Sequence, residues 1–160
     1  MIKRIQILFV HRIKMGNTQS SNTKVNFEDI QYVLKIDDHC LLINTLNERE
    51  QDCLIPKTIN ASQEETMINK LLQDNMKNIK IIVYGRNCND ENIYKKQSQL
   101  LSLGFYEVYV YVGGLFEWLM LQDIYGNVEF PTTKKEKDFL KFKPSKAFGV
   151  PLLQYTPNYK

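Results

Sequence analysis

One stretch of this 160-residue chain carries most of the groups that could do chemistry: Gly85-Arg86-Asn87-Cys88-Asn89-Asp90-Glu91, directly after Ile81-Ile82-Val83-Tyr84. A thiol in a loop that leads into a helix is a candidate nucleophile, because a helix N-terminus favours an anion and draws the thiol toward its thiolate. Cys88 is that thiol, and a helix opening near Asn89 or Asp90 would set it beside the first turn. Asp90 and Glu91 would oppose an anion there. The other two cysteines, Cys40 and Cys53, form no CxxC pair with it. A disulfide framework and a structural zinc are therefore not expected, and a reducing, cytoplasmic setting is. His11 and His39 are the only histidines, and neither has a partner at ligand spacing. No metal and no cofactor are expected.

Composition narrows the partners. The net charge is +3, and acidic residues interrupt the basic ones, so no stripe for nucleic acid exists. Lys134–Lys146 is broken by Glu136 and Asp138 and reads as a solvated surface. No apolar run is long enough to cross a bilayer. At the N-terminus Gln6 interrupts the apolar run, and no small-residue cleavage site follows, so a secretory signal is not expected. Met15-Gly16-Asn17-Thr18-Gln19-Ser20 does fit the N-myristoylation pattern, with Gly16 as acceptor only if translation starts at Met15. One such chain would give weak, reversible attachment to a membrane surface.

The surrounding pattern supplies elements to hold the loop. Asn26 can cap a helix whose apolar face is Phe27, Ile30, Val33 and Leu34. Cys40–Ile43 reads as a buried strand, and Ser62-Gln63-Glu64-Glu65 as a capping box before Met67, Ile68, Leu71 and Leu72. Ile81–Tyr84 is a strand. A helix through Ile93, Leu100 and Leu103 follows, closed by Gly104. Val108–Val112 is the next strand, and Leu115–Leu121 an apolar helix with the only Trp. Thr133-Lys134-Lys135-Glu136 offers a capping box for a short charged helix, after which Pro144, Pro151 and Pro157 break the tail. Short strands alternating with amphipathic helices indicate an α/β domain, its mainly parallel sheet covered on both faces. Ligands in such sheets bind at the carboxyl ends of the strands, which points to the loop after Tyr84.

In that order, strand 81–84 with its loop and helix, Leu103-Gly104-Phe105, strand 108–112, Gly113-Gly114 and Trp118, the chain resembles the rhodanese family. Upstream, Leu54-Ile55-Pro56-Lys57-Thr58-Ile59-Asn60 resembles that family's G-H-I-P-x-A-I-N segment. The resemblance implies a rhodanese-like three-layer sandwich at 26–143. Residues 1–25 would form an N-terminal extension, expected to be flexible, and 144–160 a Pro-containing tail. It also implies a catalytic cysteine where this chain has Gly85. The stretches Leu42–Leu46 and Gly114–Thr133 are similar to rhodanese-like proteins of large DNA viruses and protists.

The family's D-x-R-x-x-x-E half-site keeps only Glu50 here, with Asn44 and Leu46 in place of Asp and Arg, and Leu54 replaces the family His. The resemblance thus implies a non-catalytic binding or regulatory module, taking a protein or a small polar ligand at Gly85–Glu91. The alternative is a divergent sulfurtransferase working from Cys88.

Overall fold

The structure, a computed structural model, describes residues 23–37 and 39–149. Its elements run β1 (Lys24–Val25), α1 (Phe27–Lys35), β2 (Cys40–Asn44), α2 (Ala61–Gln73), β3 (Lys80–Tyr84), α3 (Asn92–Ser102), β4 (Val108–Tyr111) and α4 (Gly114–Tyr125). Single 3₁₀ turns lie at Glu48–Glu50 and Phe139–Phe142. The four strands are all parallel, in the order β1-β4-β3-β2, with Ile82 opposite both Leu42 and Tyr109. The sheet therefore starts at Lys24, inside the segment expected to precede the domain.

That strand order fixes where the helices go. The chain steps from β1 across to the far edge at β2, then returns through β3 to β4. Right-handed crossovers in opposite directions place their helices on opposite faces. Ile30 and Val33 of α1 pack with Leu42, Ile82, Tyr84 and Tyr111 on one face. Ile68 and Leu71 of α2 and Ile93 and Leu100 of α3 pack with Ile43, Ile81, Val83, Val108 and Val110 on the other. The strands alternate apolar residues toward two covered faces, as buried parallel strands do. The result is the expected three-layer α/β sandwich.

Local signals account for most boundaries. Asn26 accepts the Glu28 and Asp29 N–H groups (2.9 and 3.1 Å) while Asp29 accepts from the Asn26 N–H, a complete capping box. Gly104 ends α3's overshoot with φ +97°, a conformation glycine adopts without strain. Trp118 is fully buried and donates Nε1–H to the Pro131 carbonyl at 2.9 Å, so it is core, as its setting implied.

Two expectations fail. The cap of α2 is Asn60, which accepts from the Ser62 N–H, so the helix starts before the Ser62 box. No helix opens at Thr133, and the next helical turn is the 3₁₀ turn at Phe139–Phe142. The Thr133 N–H donates to the Leu54 carbonyl and the Thr133 hydroxyl accepts the Leu54 N–H, each at 2.9 Å. Those bonds tie the backbone to residues 52–54 and spend the side chain that would have capped a helix.

Candidate functional site

Helix α3 follows β3 on one face and α4 follows β4 on the other. The connections leaving these adjacent strands therefore part at their carboxyl ends, which is where parallel sheets leave a crevice. Loop 85–91 lies there. Its backbone is pinned from the β4 side: the Leu115 and Phe116 N–H groups of α4 donate to the Gly85 and Arg86 carbonyls at 2.9 and 3.0 Å. Gly114 makes this approach possible. Its φ is +65°, and a Cβ there would lie 2.7 Å from the Gly85 oxygen and 2.9 Å from the Asn87 nitrogen. Of the Gly113-Gly114 pair, Gly114 is the one that lies against the loop backbone, while a Cβ on Gly113 would meet the Glu117 side chain.

The side chains of the loop are largely engaged within the molecule. Arg86 pairs with Glu50, donates to the Lys141 carbonyl and lies over the Phe142 ring, 5.6 Å from its centroid. Buried Asn87 donates to the Phe142 carbonyl at 2.6 Å and accepts the Asn89 N–H at 3.0 Å. Asp90 accepts from the Arg86 N–H (3.0 Å), the Asn92 N–H (3.0 Å) and the Thr45 hydroxyl (3.2 Å). Glu91 is the N-cap of α3 and makes no side-chain capping bond. The helix thus opens at Asn92, later than the Asn89 or Asp90 start that would have set Cys88 against its first turn.

Cys88 is exposed. Its Sγ is 3.7 Å from the neighbouring Asn89 Oδ1. It does not line the cleft of about 300 Å³ that the loop itself helps to form, whose walls include Thr45, Glu50, Arg86, Asn87, Asp90 and Lys143. Cys40 and Cys53 are buried, and burial, with the Asp37 charge second, pushes the Cys40 thiol up to about 12.

The altered half-site has become core. Asn44 is buried and accepts the Leu46 N–H at 3.1 Å, while Leu46 and Leu54 join the apolar cluster under α1 and α4. Only Glu50 keeps a charge at the loop, spent on Arg86. The fully buried Tyr84 hydroxyl bonds the Thr58 hydroxyl at 2.9 Å and accepts the Ile55 N–H at 3.3 Å; burial raises it well above its usual range.

Two contributors escaped the sequence reading. Thr45 had no motif to mark it. The Phe139–Phe142 turn, which supplies the carbonyls that hold Arg86 and Asn87, sits more than fifty residues away in a stretch dominated by charge. Gly16 and His11 lie outside the described residues. His39 is exposed, and no cluster of three or more metal-binding side chains occurs among the described residues. No described helix is long and apolar enough to cross a membrane.

Comparison with known proteins agrees with the architecture. The crystal structure of the Alr3790 protein from Anabaena sp. superposes with a TM-score of 0.50 at 21% identity, over 68% of this chain and 89% of that one. The solution structure of the rhodanese-like domain of the same Anabaena protein gives 0.50 at 19%, over 86% and 96%. Likeness at such identities is one of fold. None of the curated proteins matches the chain. The sequence pattern of the Rhodanese-like domain matches residues 31–121, more than half of the length and every element from α1 into α4. By that match, on a sheet and crevice of the expected form, the chain belongs to the rhodanese-like domain family.

Proposed function

We propose that the protein is a non-catalytic binding or regulatory module, from a divergent branch of its family, that takes a protein or a small polar ligand at Gly85–Glu91. The observation that carries this reading is at residue 85. The position that follows β3 into the crevice has no side chain, and the nearest thiol, Cys88, is exposed outside the adjoining cleft. Amide and hydroxyl groups of Asn47, Asn89, Asn92 and Thr45 line that cleft and suit hydrogen bonding to a polar partner. The domain, expected over 26–143, would begin two residues earlier with β1 at Lys24 and act in the cytoplasm.

The test is sulfur transfer itself. In that reaction thiosulfate gives its outer sulfur to a thiolate and leaves as sulfite. Cyanide then takes the sulfur away as thiocyanate and restores the thiolate. With this protein, no thiocyanate above the uncatalysed rate and no persulfide on Cys88 are expected. Turnover that is lost in Cys88→Ser yet kept in Cys40→Ser and Cys53→Ser would instead establish the rival, a divergent sulfurtransferase working from Cys88.

Myristoylation of Gly16 stands on the Met15–Ser20 pattern alone, and it would add peripheral attachment to a membrane. Intact mass after expression in a eukaryotic host tests it. A chain that keeps Met1 rules the lipid out.

A further inference from the structure

Gly85 and Asp90 occupy the same space. A Cβ placed on Gly85 would lie 2.8 Å from the Asp90 carboxyl carbon and 2.8 Å from Thr45 Oγ1, and closer still to Asp90 Oδ2. The carboxylate thus fills the volume into which a side chain at 85 would project. Its oxygens are held from several sides. Oδ2 accepts from the Arg86 N–H and the Thr45 hydroxyl, and Oδ1 from the N–H of Asn92, the first residue of α3.

The direction of the Arg86 N–H follows from α4. Gly85 C=O and Arg86 N–H belong to one trans peptide and point opposite ways. With the carbonyl turned to the Leu115 N–H, the Arg86 N–H is aimed at Asp90. An ordinary Asx turn explains the Asn92 bond and nothing more. The Arg86 N–H and the Thr45 hydroxyl are the donors beyond that turn, and donors gathered on a negative charge at a strand-to-helix loop are what a bound oxyanion would meet.

We infer that Asp90 is the resident anion of this loop: its carboxylate fills the oxyanion cradle from within and keeps external oxyanions out. The inference rests on the non-catalytic reading of the loop and adds the device that enforces it. Asp90, Arg86 and Thr45 also form part of the wall of the polar cleft, so the carboxylate sets the charge that a ligand entering there meets.

The experiment titrates sulfate, against chloride at matched ionic strength, into ¹⁵N-labelled wild type and Asp90→Ser. Serine still offers an oxygen to the Asn92 N–H but is too short to reach the Arg86 N–H as well. In wild type the Arg86 and Asn92 amide signals should not respond to sulfate. In Asp90→Ser they should shift and saturate, with affinity at least about tenfold above wild type. Equal responses in the two proteins, or a folded variant with no response, would overturn the inference.

A second measurement does not depend on that variant folding. Gly85→Cys in a Cys88→Ser background puts a thiol against the Asp90 carboxylate, which disfavours the thiolate. Iodoacetamide should alkylate it about tenfold more slowly at neutral pH than it alkylates the same thiol when Asp90→Asn is added. An equal or faster rate overturns the inference. Sulfate binding to the wild-type cradle without any thiocyanate formation would sink the resident anion while leaving the non-catalytic reading intact.

Discussion

Gly114 and Gly85 are both glycines at the crevice, and different constraints hold them. At Gly114 the constraint is backbone against backbone: positive φ and contact with the Gly85 carbonyl. Nothing at that contact can rotate away. Gly114→Ala is expected to cost about 2–3 kcal/mol, from the left-handed conformation plus displacement of the loop. The loss would be read as a lower urea midpoint at unchanged slope. At Gly85 the obstacle is a carboxylate and a hydroxyl, both side chains. Sequence could show the missing nucleophile there and the presence of nearby negative charge. It could not show that Asp90 turns back onto the position five residues earlier. That depends on the Gly85–Arg86 peptide being turned by α4, from a part of the chain with no local link to the loop. Of the two buried thiols, Cys40 was legible from its apolar run and Cys53 had no such signal. In the folded protein Cys88 should react at once with an aromatic disulfide reagent, and Cys40 and Cys53 only after denaturant is added.

Among elements, strands and long helices followed their patterns closely, because alternating burial and helical spacing are local properties. Asn26 caps α1 as expected, and β2 and β3 lie within a residue of the apolar runs that announced them. The Thr133 segment failed for a physical reason: a capping residue is also a good partner for a neighbouring backbone, and Leu54 was nearer. The most consequential miss is the Phe139–Phe142 turn. Phe142 is fully buried, and its carbonyl takes the Asn87 amide. Phe142→Ala should remove about 3–5 kcal/mol of stability through lost burial and an unfilled space. Asn87→Ala should cost less, about 1–3 kcal/mol, by leaving that carbonyl without its donor. The amide exchange of Arg86 and Asn87 should quicken in Phe142→Ala beyond the general loss of stability, since the turn fastens both residues.

For the whole molecule, acid is the condition that tests the outer ion pairs. Burial works to raise Glu136, but hydrogen bonds from Lys141 and the Asp138 N–H prevail and hold it below its usual value. Asp37 is lowered by the His39 N–H and, against some burial, by Lys80. Each group binds a proton more readily unfolded than folded. Their stabilisation is complete above the ordinary carboxylate range and disappears as pH falls through the lowered folded values. Urea midpoints should therefore decline below about pH 4.5, and Glu136→Gln should make the decline shallower. The strand order carries one more consequence, for the time course of folding. β1 pairs only with β4, and Lys24 meets Val110 across most of the domain's length. Closing so large a loop is slow, and the two-residue strand returns few contacts for it. β1 should therefore dock after β2, β3 and β4 have assembled, and substitutions at Val25 should speed unfolding while leaving the refolding rate almost unchanged.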